Sequence, residues 1–181
     1  MRQLTLLRHA QADPHSPTGE DADRALSIRG REQAKNLAAL LRAHGAVPQL
    51  VLCSTANRAV QTWKLTAAGL TEASPDHHPN NNGIEVRRLP DLYGAGPGDL
   101  LDVVRATPAE VTSVLVVGHE PVVSHVARVL AGPQSQEQAL ARIRTGMSTA
   151  MLAFLRTENP WPELGRGAAT LTGLAEPEPG A

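Results

Sequence analysis

Four side chains in this sequence have the types and settings needed to handle a phosphoryl group. Arg8 and His9 follow the apolar run from Gln3 to Leu7. Arg58 comes a short turn after the run Leu50 to Cys53, and His119 follows Ser113 to Val117 through Gly118. A guanidinium fork matches phosphate oxygens in pairs and stays charged. A neutral imidazole is a competent nucleophile toward phosphorus, and nearby arginines lower its pKa by like-charge repulsion, which keeps a lone pair free near neutral pH. His9, beside Arg8, is the candidate nucleophile, and Arg8, Arg58 and His119 are candidate ligands for the phosphate.

These residues are useful only if the chain brings strand ends together. Apolar runs and helical patterns alternate along it, the order expected when crossover helices join parallel strands. The runs Gln3–Leu7, Leu50–Cys53 and Ser113–Val117 read as buried strands, with an edge strand at Glu85–Leu89. Helices are expected from Ile28 to His44, capped by Ser27 and stopped by Gly45, from Asn57 to about Gly69, from Asp99 to Ala106 and from Val122 to Leu130. Ser148–Leu155 and Ala168–Leu174 read as a terminal hairpin, with surface connections at Gln134–Gln138 and Thr157–Arg166. The expected fold is α/β, a three-layer α/β/α arrangement around a mostly parallel sheet. Ligands bind such sheets at the carboxyl ends of the strands. The whole is read as one domain over residues 1–175, with a flexible tail at 176–181.

Composition narrows the function further. The 181 residues carry a formal net charge of −1, and aromatics are 2% of the chain. A basic footprint and a stacking platform for nucleic acid are both lacking, so no nucleic-acid partner is expected. No stretch is long and apolar enough to span a bilayer, and the N-terminal apolar run is too short for a signal peptide. The single Cys53, in an apolar run, suits a buried thiol in a reducing, cytoplasmic setting. His77 and His78 sit in an Asn- and Pro-rich stretch without carboxylate or cysteine neighbours, so no metal is expected there. His15, His44 and His125 read as solvated or structural. The acidic patch Glu20, Asp21 and Asp23 reads either as a solvated loop or as part of the pocket mouth.

Leu7-Arg8-His9-Ala10 resembles the Arg-His-Gly signature of the histidine phosphatase superfamily, also called phosphoglycerate mutase-like, with Ala10 in place of the usual glycine. Leu26-Ser27-Ile28-Arg29-Gly30-Arg31-Glu32-Gln33-Ala34 resembles that family's Leu-Thr-x-x-Gly-x-x-Gln-Ala. Ser54-Thr55-Ala56-Asn57-Arg58-Ala59-Val60-Gln61-Thr62 resembles its Ser-x-x-x-Arg-Ala-x-Gln-Thr, and Val116-Val117-Gly118-His119-Glu120-Pro121 completes the set. Short length and the Gly-His-Glu-Pro form are similar to the SixA branch, the small phosphohistidine phosphatases. The resemblance implies a phosphoglycerate mutase-like fold, phosphoryl transfer to His9 with Arg8, Arg58 and His119 holding the oxygens, no cofactor and no metal. It also offers Asp91, in Leu89-Pro90-Asp91-Leu92-Tyr93-Gly94, as a weak candidate for the general acid that some relatives use.

Three functions remain open at this point: a phosphatase for a phosphohistidine-carrying protein, a phosphatase for a small phosphate monoester, and a phosphate-binding regulatory module without turnover. The lengths of the segments Gln11–Arg24 and Thr71–Gly98 suggest an accessible pocket. Ser54 and Thr55 could touch phosphate through their hydroxyls, although helix capping explains them equally well.

Overall fold

The computed structural model describes residues 1–72 and 83–178. His77, His78 and the last three residues of the expected tail lie outside the described residues. Six strands, β1 (Arg2–Arg8), β2 (Leu50–Ser54), β3 (Glu85–Leu89), β4 (Ser113–Gly118), β5 (Leu152–Thr157) and β6 (Thr170–Ala175), form one sheet in the order β3-β2-β4-β1-β5-β6. The pairs β3/β2, β2/β4 and β4/β1 are parallel, whereas β5 and β6 are antiparallel to their neighbours. The sheet is therefore mostly parallel, as the alternation of strand and helix signals implies.

Alternation within the strands divides the core in two. Leu4 and Leu6 of β1, Leu50 and Leu52 of β2, and Val114 and Val116 of β4 face one side. There they pack against α3 (Pro97–Arg105), α4 (Val122–Leu130) and α5 (Glu137–Ile143). Leu7, Val51, Cys53, Leu115 and Val117 face the other side, against α1 (Ile28–Ala43) and α2 (Asn57–Glu72). Successive side chains of a strand point to opposite faces, so strands apolar throughout must be covered on both. Three layers follow from that. The core is largely aliphatic, with Trp63, Phe154 and Trp161 as its buried aromatics.

Ser27 caps α1 by accepting the Gly30 amide at 3.0 Å, and Gly45 beyond its end sits at φ +59°. α3 begins two residues earlier than the sequence implies, with Pro97 in its first turn. α5 is an addition: the sequence implies a surface connection over residues 134–138, whereas a two-turn helix begins at Glu137. The β5/β6 hairpin is present, but β5 starts at Leu152, because residues 148–151 turn back on the end of β1. At that turn Ala150 is fully buried at φ +62°, with its amide facing the carbonyls of Arg8 and His9 at 3.1 and 3.2 Å. Among the described residues no helix is long and apolar enough to cross a membrane.

A non-glycine residue held at positive φ is strained, and a β-branched one more so. Ala150→Gly should stay within about 1 kcal/mol of the parent, because relief of strain offsets the entropy lost by glycine. Ala150→Val should lose roughly 2 kcal/mol or more, from backbone strain together with overpacking. Denaturant unfolding of the two variants measures both.

Candidate active site

Parallel pairing brings the candidate residues to one edge. β1 ends at Arg8, paired with Gly118 at the end of β4, and Cys53 near the end of β2 is paired with Val117. The His9 amide donates to the Gly118 carbonyl at 3.0 Å, which ties His9 through the backbone to the residue just before His119. Arg58, in the first turn of α2, closes the group: its Nε–H donates to His9 Nε2 at 3.2 Å. The His9 and His119 rings lie 5.1 Å apart, centre to centre. Arg8 donates from Nη1 to the Met147 carbonyl at 2.7 Å, while its buried Nε has no partner.

Hydrogen bonding fixes the state of His9. Its Nδ1 lies 2.8 Å from the Ala10 carbonyl, which can only accept, so Nδ1 carries the proton and Nε2 carries the lone pair. Burial, with Arg58, Arg8 and Arg24 adding to it and the Ala10 carbonyl opposing, lowers the His9 pKa to about 4. Burial and the neighbouring His9 and Arg58 lower His119 to about 3. Both rings are neutral at pH 7, His9 with its lone-pair nitrogen Nε2 facing an arginine.

The motif residues around these four act as supports. A Cβ on Gly30 would collide with the Gln11 carbonyl, so glycine is what lets α1 approach the loop after His9. Gln33 Oε1 accepts the Gln11 amide, and its Nε2 reaches Thr149. Thr62 Oγ1 takes the Ala10 amide at 3.0 Å and donates to the Arg58 carbonyl, and Gln61 Oε1 takes the Leu26 amide. Ala10 is fully buried outside the positive-φ region, so this backbone does not require the usual glycine. Glu120 accepts the Met147 amide and the Ser124 hydroxyl, so it and Arg8, which donates to the Met147 carbonyl, hold the two backbone groups of one residue.

Two residues outside the sequence-based set reach the site. Asp21 accepts from Arg58 Nη2 at 3.0 Å, from Arg24 Nε at 2.8 Å and from the Tyr93 hydroxyl at 2.8 Å, and its carbonyl takes Arg58 Nη1. The Tyr93 hydroxyl, then Arg24 and Arg58, hold the Asp21 carboxyl well below the usual carboxylate range. The Tyr93 ring meets His119 edge-on at 5.9 Å and lies 5.8 Å from the Arg58 guanidinium. Of the acidic patch, then, Asp21 belongs to the pocket mouth. Asp91, by contrast, is exposed in the 3₁₀ turn Pro90–Leu92 and makes no hydrogen bond or ion pair among the described residues.

His9 is 8% exposed and Arg58 5%, whereas Arg8 and His119 are partly exposed, and the exposed side chains of Tyr93 and Asp21 are joined by a hydrogen bond beside them. Cavities of about 450 and 590 Å³ open elsewhere, beside Arg156 and beside Trp63. Among the described residues no three His, Cys, Asp or Glu side chains group as a metal site would require. Cys53 is buried, and burial raises its thiol to about 12, so it is unreactive. His15 and His125 are exposed, and His44 stacks on Phe154 at 4.3 Å.

A family model described as histidine phosphatase superfamily (branch 1) matches residues 4–84. An uncharacterised protein of Mycobacterium tuberculosis is 36% identical over 175 residues, covering 94% of this chain and 99% of that protein. Among solved structures, a proposed SixA phosphohistidine phosphatase from Nakamurella multipartitia is 31% identical, with a TM-score of 0.78 over 98% of this chain and 96% of that one. Another from Agrobacterium tumefaciens is 28% identical, with a TM-score of 0.76 over 97% and 98% of the two chains. The chain belongs to the histidine phosphatase superfamily. Its enzyme class is accordingly phosphatase, a hydrolase, and its fold is the phosphoglycerate mutase-like one.

In this histidine phosphatase the depressed pKa of His9 has a stability consequence with a definite sign. Above pH 6.5 neither the folded nor the unfolded imidazole is charged. Between about 6.5 and 4 the unfolded chain binds a proton that the folded one refuses, so stability falls with acidification. The share of His9 is on the order of 3 kcal/mol. Melting curves recorded across that range should show the slope, and His9→Asn should reduce it.

Proposed function

We propose that this phosphatase acts on phosphohistidine carried by a protein, through a phosphoryl group transferred to His9. The observation that carries the reading is the state of the acids at the site. Asp21 is held ionised by three donors, Glu120 has both oxygens engaged, and Asp91 stands exposed. An alkoxide leaving from an ordinary ester needs a proton from such an acid. A phosphohistidine whose other ring nitrogen is protonated departs as neutral imidazole and needs none.

In this reading the lone pair of His9 Nε2 attacks phosphorus in line, and the phosphorus–nitrogen bond of the substrate breaks with its electron pair going to the departing imidazole. Water then attacks the phosphorylated His9. The second phosphorus–nitrogen bond breaks, its pair returns to Nε2, and inorganic phosphate leaves with the protons of water. Arg8, Arg58 and His119 stabilise the equatorial oxygens, so positioning and charge stabilisation supply most of the rate. Before attack, Nε2 must be released from the Arg58 Nε–H that it accepts in the free enzyme. No cofactor enters the scheme. The buried Cys53 thiol suits a cytoplasmic setting.

The same phosphate-binding side chains would equally serve a second reading, a small phosphate monoester. Substrate panels separate the two. With phosphohistidine protein as substrate, an alkaline quench should trap an acid-labile phosphoenzyme, and His9→Ala should form none and lose at least about 10⁴-fold in kcat. Esters turned over better than phosphoramidates would favour the small-metabolite reading. Phosphate binding with no phosphoenzyme would point to the regulatory module.

The pH profile is a further check. Once the ionisations of the substrate's own phosphoryl and imidazole groups are measured separately and divided out, the remaining acid limb of kcat/KM should lie near pH 4. A remaining enzyme limb near 6.5 would contradict the assignment of His9.

A further inference from the structure

His119 is held by a hydrogen bond that decides which of its nitrogens is free. Its Nε2 lies 2.8 Å from Ser54 Oγ. Ser54 is fully buried at the end of β2, and its oxygen also accepts the Ala56 amide at 3.3 Å. Substrate cannot reach this hydroxyl, and its single proton has His119 Nε2 as its one acceptor among the described residues. If His119 donated from Nε2 instead, both the Ser54 O–H and the Nδ1 lone pair would be buried without a partner, against the single Nδ1–H left unpaired when Ser54 donates. Ser54 therefore donates and Nε2 accepts, so Nδ1 carries the ring proton. That nitrogen is buried and has no partner among the described residues.

We propose that Ser54 is a positioning residue that locks His119 in the Nδ1–H tautomer, so that the unpaired Nδ1–H becomes a neutral donor to the phosphoryl group at His9. The two rings are 5.1 Å apart, close enough for a phosphoryl group on one to be served by the other. A donor left without a partner in the free enzyme gains its hydrogen bond only when the phosphoryl oxygens arrive, so the gain falls on the reacting state. Neutrality matters as well, because two guanidiniums already charge this site. The inference rests on His9 as phosphoryl acceptor but not on which phosphorylated substrate is used.

The test is a nitrogen-15 spectrum of histidine-labelled protein at neutral pH, with the His119 signals assigned by their loss in His119→Gln. Wild type should show Nδ1 protonated and Nε2 bare. In Ser54→Ala the Nε2 loses its donor, so the tautomers should mix. With a chromogenic aryl phosphate, whose leaving group needs no acid, kcat should fall about tenfold or more while KM moves less than about threefold. Ser54→Thr, which keeps the hydroxyl, should restore the wild-type tautomer signature. A protonated Nε2 in wild type overturns the proposal. A Ser54→Ala protein that keeps the Nδ1–H tautomer also overturns it, as does one whose tautomer shifts while kcat does not. The spectrum reads the free enzyme, so failure of the phosphohistidine reading would leave this result standing.

Discussion

Two guanidiniums and two imidazoles share one nearly buried site, and in so little water they cannot all be charged. Arginine does not give up its proton, so the histidines stay neutral. Much of the surrounding structure manages the two remaining charges. Arg58 is matched by the Asp21 carboxylate, and Arg8 rests on the Met147 carbonyl. A site balanced in this way has an excess of donors facing inward and, on His9 Nε2, a lone pair without a competing proton, an arrangement suited to receiving a dianion.

The sheet provides the second condition. β4 lies between β1 and β2, so the strand ends that carry the first three candidates flank the one that leads into His119. The crossover helices deepen the arrangement instead of merely connecting it. α1 approaches closely enough at Gly30 to touch the chain just after His9, and α2 opens with Arg58 and continues into Gln61 and Thr62, which hold the neighbouring loops. The apolar interior on either face fixes the strands, and polar contacts of the helix starts with those loops fix the reactive groups to fractions of an ångström.

What could be read from the chain follows from what is local. Strand ends, helix caps and the four candidate side chains announce themselves by runs, periods and neighbours in sequence. Ser27, Gly45 and Arg58 stand where those signals place them. Asp21 and Tyr93 carry no such signal: one belongs to a turn after β1, the other to a turn after β3, and only folding brings them together. Gly30, Gln33, Gln61 and Thr62 were visible as a pattern, yet their tasks lie in contacts with loops distant in sequence. α5 escaped notice because it is two turns long and has no side-chain cap. The left-handed Ala150 was equally hidden, since alanine favours ordinary helix.

The bond from Arg8 to the Met147 carbonyl joins residues 139 positions apart. The turn through Ala150 binds the backbone of Arg8 and His9 in the same way. Such long loops close late in folding. A growing chain therefore makes His9 well before the turn that seats it, and the seat is completed only when the fifth strand docks against the first. Until then the imidazole lacks its geometry, and reactivity is withheld from partly made protein by topology alone.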